Sequence, residues 1–378
     1  MKIRTITIGC ELDRSHTQQQ ITALGEQGQQ IEQVLEDHGY DVQTLRLTTQ
    51  PWEQYLSSSK ELPDLAETLQ TFTQDAGFDY FNIGPTYQSG DIPALYDFFE
   101  HCRTGFCTSI ICHHPHIYYD SIQQTASLIQ RLSKLESKGF ANLRFAALCN
   151  IPAGTPFFPA SYHQGPASFA LGLENSDLVY QAFSDCSNLV EAKQALTTII
   201  GKEYTGIEKM ARDIRQDLGI EYAGLDGSIC SSIKSDESIA YAFEHLQLGR
   251  FGDVGSCAIA SIITDVIQHV PVKQVGYSGL MLPVLEDHGL SKRNVEHSFD
   301  IQSLLLYSSV CGTGLDTIPL PGDIHKERLI GILLDVASLS QRLQKPLSAR
   351  LIPIPGKKAG ERTEFTFEYF VNSIVMKP

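Results

Sequence analysis

The sequence predicts an α/β protein with mostly parallel strands, on three observations. Strand-like and helix-like patterns alternate from residue 3 to about residue 354. Several strand-like runs, SLLLYSSV and RFAALCNI among them, are apolar throughout. No low-complexity linker and no internal repeat interrupts the 378 residues. Alternating β and α segments imply parallel strands joined by helical crossovers. Runs apolar on both faces suit a sheet covered on both sides. The strand count fits a closed barrel or one large open sheet, built as a single module over residues 1–378.

Residues 3–10 form the first β-run, rich in Ile and Thr. Residues 17–38 carry Ile21, Leu24, Ile31, Val34 and Leu35 at helical spacing, with Gly39 as the stop. Residues 42–48 return to strand period. Further strands are predicted near 78–83, 107–112, 143–149, 219–225, 273–278, 305–310 and 348–354. A helix over about 324–343 places Leu329, Ile332, Val336, Leu339 and Leu343 on one face. The longest Pro/Gly-rich stretch, NIPAGTPFFPASYHQGPAS (150–168), reads as a domain boundary or an active-site loop.

Composition narrows the function. The chain is 42% hydrophobic, enough for a sizeable core. With 44 acidic against 29 basic residues, its net charge is −15. That disfavours nucleic acid and anionic membranes as partners; a small-molecule ligand fits, and a homo-oligomer is expected. Nine cysteines without a CxxC pair suit reduced thiols in the cytoplasm better than disulfides or structural zinc. The N-terminal apolar stretch is short and alternating, unlike a signal peptide, and no run is long enough to span a bilayer.

Several irregular segments carry a resemblance: VQTLRLTTQPW (42–52), NLRFAALCNIPAGTPFFPASYH (142–163), GLDGSICSSIKSDESIAYAFEHL (224–246), GRFGDVGSCAIAS (249–261), GYSGLMLPVLED (276–287), VCGTGLDTIPLPGD (310–323) and ARLIPIPGKKAGE (349–361). Together they resemble the domain-of-unknown-function 711 family, also called uncharacterised protein family 0210, along nearly the whole chain. The resemblance implies a pyruvate formate-lyase-like α/β barrel of mostly parallel strands with surrounding helices and a cysteine loop reaching inside. It does not imply glycyl-radical chemistry. The C-terminal GKKAGERTEFTFEYFVNS lacks the Arg-Val-x-Gly-Tyr-like segment such enzymes carry.

The chemical candidates lie in these segments. Cys311 follows an apolar run and opens CGTGLD, where the resemblance places the barrel's cysteine loop; the alternative is an inert core thiol. His163, in the Pro-rich loop, is an acid–base candidate. Asp226, Glu286, Asp287, Asp316 and Asp323 all follow strand-like runs, where α/β ligand sites gather. Glu286 is assigned acid–base work. Asp226, Asp287 and Asp316 are the candidate ligands for a hard cation, Ca²⁺ or Mg²⁺ rather than zinc. Taken singly, Asp226, Asp287 and Asp323 each precede a helical pattern and suit N-capping better; the shared site rests on the cluster. Ser228, Arg350, Lys357 and Lys358 are assigned to substrate binding, the last three as partners for a carboxylate or phosphate.

His113, His114 and His116 would need a further ligand to hold a metal. There is no Walker glycine loop, no G-x-S-x-G elbow and no Rossmann follow-up acid, so nucleotide, serine-hydrolase and NAD chemistry are not expected. Cys311, Asp226, Glu286 and Asp316 are expected at one cavity. The expected function is an enzyme on a small carbonyl or carboxylate compound, lyase or aldolase in type, metal-assisted or not, without a glycyl radical. The alternative is a non-catalytic small-molecule binding or sensor protein on the same barrel.

Overall fold

The computed structural model describes all residues 1–378. Its strands are β1 (Lys2–Cys10), β2 (Leu45–Thr49), β3 (Tyr80–Thr86), β4 (Gly105–His113), β5 (His116–Ile117), β6 (Phe145–Cys149), β7 (Ser168–Glu174), β8 (Glu221–Asp226), β9 (Gly314–Pro321) and β10 (Leu347–Ile354). They form one sheet in the order β8-β7-β1-β2-β3-β4-β6-β10-β9, with β5 paired to β4. Within β1-β2-β3-β4-β6 all pairings are parallel. The β7–β8 and β9–β10 pairs are parallel too, and each joins that block through an antiparallel contact, β7 on β1 and β10 on β6.

Residues 273–285 touch both outer strands of this order. Leu225 N–H donates to Lys273 O at 2.8 Å and Met281 N–H to Ile229 O at 3.1 Å. Gly312 N–H donates to Leu280 O at 3.0 Å and Val284 N–H to Asp316 O at 3.2 Å.

The two faces of the sheet pack differently. Along β6, Phe145, Ala147 and Cys149 enter a cluster of 89 buried apolar residues that also takes in the helices. Ala146 and Leu148, turned the other way by the period of two, enter a cluster of ten with Ile151, Phe157, Ala160, Tyr162, Cys230, Tyr277 and Met281. The Pro/Gly-rich segment supplies much of this second cluster. Thr7 Oγ1 donates to Pro156 O at 2.8 Å, Asn82 Nδ2 to Pro159 O at 2.6 Å, and His163 N–H to Thr49 O at 2.8 Å. These bonds fasten an otherwise irregular backbone to β1, β2 and β3.

Two expectations for secondary structure are corrected. SLLLYSSV lies largely in a helix, Ile301–Ser308, not a strand. Asp300 starts it by accepting from Ser303 N–H, with the Ser303 side chain reaching back, a reciprocal cap. A short apolar run cannot separate buried helix from strand. The strand lies instead at 314–321, GLDTIPLP, a stretch not among the expected strands. β7 was not among the expected strands. Residues 273–278 contribute an isolated bridge, Gln274 to Leu225, in place of a strand. No helix is long and apolar enough to cross a membrane.

Candidate functional site

A cavity of about 520 Å³ opens at the start of the parallel block and is lined by 29 residues. Arg4 of β1, Arg46 of β2, Tyr80 of β3, Phe106 of β4 and Ala146 of β6 all stand near the beginnings of their strands and face it. Arg350 of β10 and Asp316 of β9 complete the wall. Phe157, Phe158 and Pro159 of the Pro-rich segment line it as well, and Phe367 to Tyr369 contribute from near the C-terminus.

Most charge in the wall is matched. Arg350 Nε donates to Asp316 Oδ1 at 2.6 Å and its Nη2 to Glu286 Oε1 at 2.8 Å. Arg4 donates to Glu174 at 2.7 Å and Gln43 at 3.1 Å, and reaches Glu286 at 3.4 Å. Burial works against both guanidinium charges, but the carboxylates around them more than offset it and both pKa values rise. Burial raises Glu286 and Asp316 adds to the rise, while Arg350 and Arg4 oppose it.

Arg46 differs. Its Nε donates to Thr44 Oγ1 at 2.9 Å, and its two terminal nitrogens donate to nothing. No carboxylate forms a salt bridge with it, although its residue is only 9% exposed. Its guanidinium lies 5.3 Å from the Phe158 ring centroid and 5.8 Å from that of Tyr80. Burial, followed by the neighbouring Arg4, lowers its pKa to about 10. A second unmatched group belongs to a residue of the wall: the Thr313 hydroxyl is buried without a partner. A guanidinium with two nitrogens that have no protein acceptor, in the wall of a cavity, offers a place for an anion with hydrogen-bonding oxygens.

The expected site residues divide. Glu286, Arg350 and Asp316 meet at this cavity. Cys311 does not. It packs into the large cluster, its N–H donates to Tyr307 O at 2.8 Å, and its carbonyl accepts from Lys345 Nζ. Burial pushes its thiol up to about 11. The shift of the preceding run from strand to helix is what moves Cys311 out of the cavity wall.

Asp226 also lies outside the wall. It accepts from Ser228 N–H at 3.0 Å, Ser228 Oγ at 2.6 Å, Tyr277 N–H at 2.9 Å and Ser278 N–H at 3.0 Å, so it anchors a turn. Ser228 is therefore committed to that turn, and its Oγ also accepts from Gly279 N–H. Asp287 caps the helix His288–Val295 through Leu290 N–H at 2.8 Å and accepts from Ser238 Oγ and Ile239 N–H. The three proposed cation ligands are thus dispersed, and each is engaged by donors from the protein.

His163 Nε2 donates to Gly165 O at 2.9 Å and the ring packs against Gly9, with burial lowering its pKa; it does not line the cavity. A Cβ on Gly9 would sit 2.2 Å from its Nδ1, so the glycine makes room for the ring. Lys357 pairs with Glu364 at 3.2 Å, and Lys358 N–H donates to Glu361, both away from the cavity. His113 and His116 face each other across the β4–β5 pair, with His114 in the turn between them.

Sequence reasoning passed over Arg4, Arg46, Tyr277 and Cys230, all of which line the cavity. The arginines carried a readable signal: each is a charge set within an apolar strand, KIRTITIGC and LRLTT. A charge kept in a buried strand needs a partner or a ligand.

A family model described as "Uncharacterised ACR (DUF711)" matches residues 1–368. The chain is similar to the UPF0210 protein of Pyrobaculum aerophilum, 30% identical over 262 residues, covering 65% of this chain and 56% of the relative. It is 24% identical to the UPF0210 protein of Methanopyrus kandleri over 406 aligned positions, covering 96% and 88%. The UPF0210 protein of Neisseria meningitidis serogroup C is 24% identical, with 96% and 87% covered.

Proposed function

The chain belongs to the DUF711 family, and on that footing we propose that it is an enzyme acting on a small carbonyl compound that carries a carboxylate. The chemistry is proton transfer or carbon–carbon bond making and breaking, lyase or aldolase in type, without a glycyl radical. The observation that carries this is Arg46: a buried guanidinium with two free nitrogens, facing a cavity of substrate size. A carboxylate fits its planar fork. Glu286 is the acid–base group, because burial raises its pKa toward the working range. Asp226, Asp287 and Asp316 already hold donors, so neither Ca²⁺ nor Mg²⁺ enters the proposed steps.

The same proposal takes the whole chain as one module closed into a pyruvate formate-lyase-like barrel. Support comes from residues 273–285, which hydrogen-bond to both the β8 and the β9 ends of the strand order. A closed barrel would enclose the Pro-rich segment and the cavity on its inner face.

A second reading, a non-catalytic binding protein, is favoured by one feature. Three carboxylates of the wall, Glu286, Asp316 and Glu136, are already held by arginines. Proton NMR in D₂O separates the two. A panel of short oxo acids, incubated with the protein, should show catalysed exchange of the carbon-bound proton beside the carbonyl, or carbon–carbon cleavage. Saturable binding with neither change would favour the binding protein.

A further inference from the structure

Of nine cysteines, one stands in the cavity wall. Cys10, Cys102, Cys107, Cys112, Cys149 and Cys311 lie in the large cluster, and Cys186 and Cys257 pack against its outside. Cys230 belongs instead to the ten-residue cluster on the other face of the sheet. The backbone fixes that orientation. Ile229 bonds to residues 279 and 281 on both its polar groups, and Cys230 N–H donates to Asn175 Oδ1 at 2.9 Å. Ile229 enters the large cluster, so the next side chain is presented to the cavity.

Two further features of the cavity that Cys230 lines bear on a ligand. Arg46 is 9% exposed and lacks partners for two nitrogens; Thr313 is 3% exposed and its hydroxyl has none. Both line the cavity that Cys230 lines. Phe106, Phe157, Tyr277 and Met281 also line the cavity, and the last three share the apolar cluster of Cys230.

Building on the proposed carboxylate site, we infer that Cys230 is the covalent residue of this cavity and that the ligand class is a short 2-oxo acid, with its carboxylate on Arg46 and its carbonyl carbon against Sγ. In the step, a new Sγ–C bond forms and the carbonyl π pair moves onto oxygen. The thiol proton ends on that oxygen, giving a neutral hydroxyl. Nothing is oxidised or reduced, and reversal returns thiol and oxo acid unchanged. Burial pushes the Cys230 thiol up to about 12, with Arg4 opposing. The group therefore enters as a protonated thiol and needs a proton path, which Glu286 in the same wall can serve.

The test is affinity alkylation of the full-length protein with peptide mapping by mass spectrometry. Iodoacetate carries a carboxylate beside an electrophilic carbon; iodoacetamide is its uncharged counterpart and the faster reagent toward ordinary thiols. Iodoacetate should label Cys230 at least tenfold faster than iodoacetamide does, the other eight cysteines keeping the ordinary order as internal controls. Glyoxylate should protect Cys230, and Arg46→Met should erase the preference for the anion. Failure of iodoacetate to label Cys230 selectively, or of glyoxylate to protect it, overturns the inference. Calorimetry with glyoxylate on the Cys230→Ser variant keeps the two proposals apart. If glyoxylate binds there while Cys230 of the wild type stays unlabelled, the carboxylate site stands and the covalent role falls. If glyoxylate binds neither protein, both fall.

Discussion

Arg350 bridges Asp316 at 2.6 Å and Glu286 at 2.8 Å, tying β10 to β9 and to the segment that follows residue 281. One guanidinium thus serves two buried carboxylates, with Arg4 as a second cation for Glu286. Arg350→Met should destabilise the protein by about 3–5 kcal/mol, because Asp316 loses its paired cation and Glu286 keeps only the longer contact to Arg4. The loss should depend on pH. Glu286 is already raised by burial, and removal of Arg350 raises it further. A carboxylate raised above its unfolded value contributes stability at low pH that is lost as pH rises through the folded pKa. Urea denaturation should therefore show a larger deficit for the variant at pH 8 than at pH 5. A deficit independent of pH would contradict the charge argument.

Arg46 should behave in the opposite way. Its charge is desolvated and has no carboxylate partner, so Arg46→Met removes that cost together with one hydrogen bond, Nε to Thr44 Oγ1. Thermal unfolding should place this variant within about 1 kcal/mol of the wild type or above it. A loss as large as that of Arg350→Met would mean that Arg46 has a structural partner.

Asp226 is a turn anchor with four donors on its carboxylate. Asp226→Asn should cost at least about 2 kcal/mol, since one acceptor oxygen becomes a donor facing N–H groups. Calorimetric scans with and without millimolar Ca²⁺ check this. The cost should be the same in both. Ca²⁺ stabilisation that is present in the wild type and absent in the variant would restore Asp226 as a metal ligand.

Asp287 gives a pH signature. Burial raises it from 3.8 to about 6, against the capping N–H groups. Between those values the folded state holds a proton that the unfolded state has released. Its contribution is therefore complete below about pH 4 and is lost as pH rises to about 6, by roughly 3 kcal/mol in all. Asp287→Asn, which keeps an oxygen for the helix cap, should flatten the stability profile across that window. An unchanged slope would show that another group titrates there.

The sequence was most legible where pattern and burial agree. β1, the helix after it and the helix ending near Leu343 follow from periodicity, because each has one clear apolar face or an unbroken strand pattern. Glu286, Arg350 and Asp316 were legible as charges in irregular, family-like segments, and they do meet. Cys311 misled because its apolar lead-in is a helix, and apolarity alone does not choose between helix and strand. Cys230 was hidden by parity. Beyond the end of β8 no pattern tells which residue of ICSS turns toward the cavity, and the direction is set by bonds from residues 279–281, some fifty positions away. Asp226 looked like a free ligand because the N–H groups that occupy it include those of residues 277 and 278.

The central claim is that Arg46 holds the carboxylate of a small ligand. Isothermal titration of the wild type and Arg46→Met with short 2-oxo acids measures it directly. The wild type should bind with a one-to-one stoichiometry, and Arg46→Met should bind about 100-fold more weakly, the loss of a bidentate charge-assisted pair worth about 2–3 kcal/mol. Equal affinity in the two proteins, with both folded, would contradict the account.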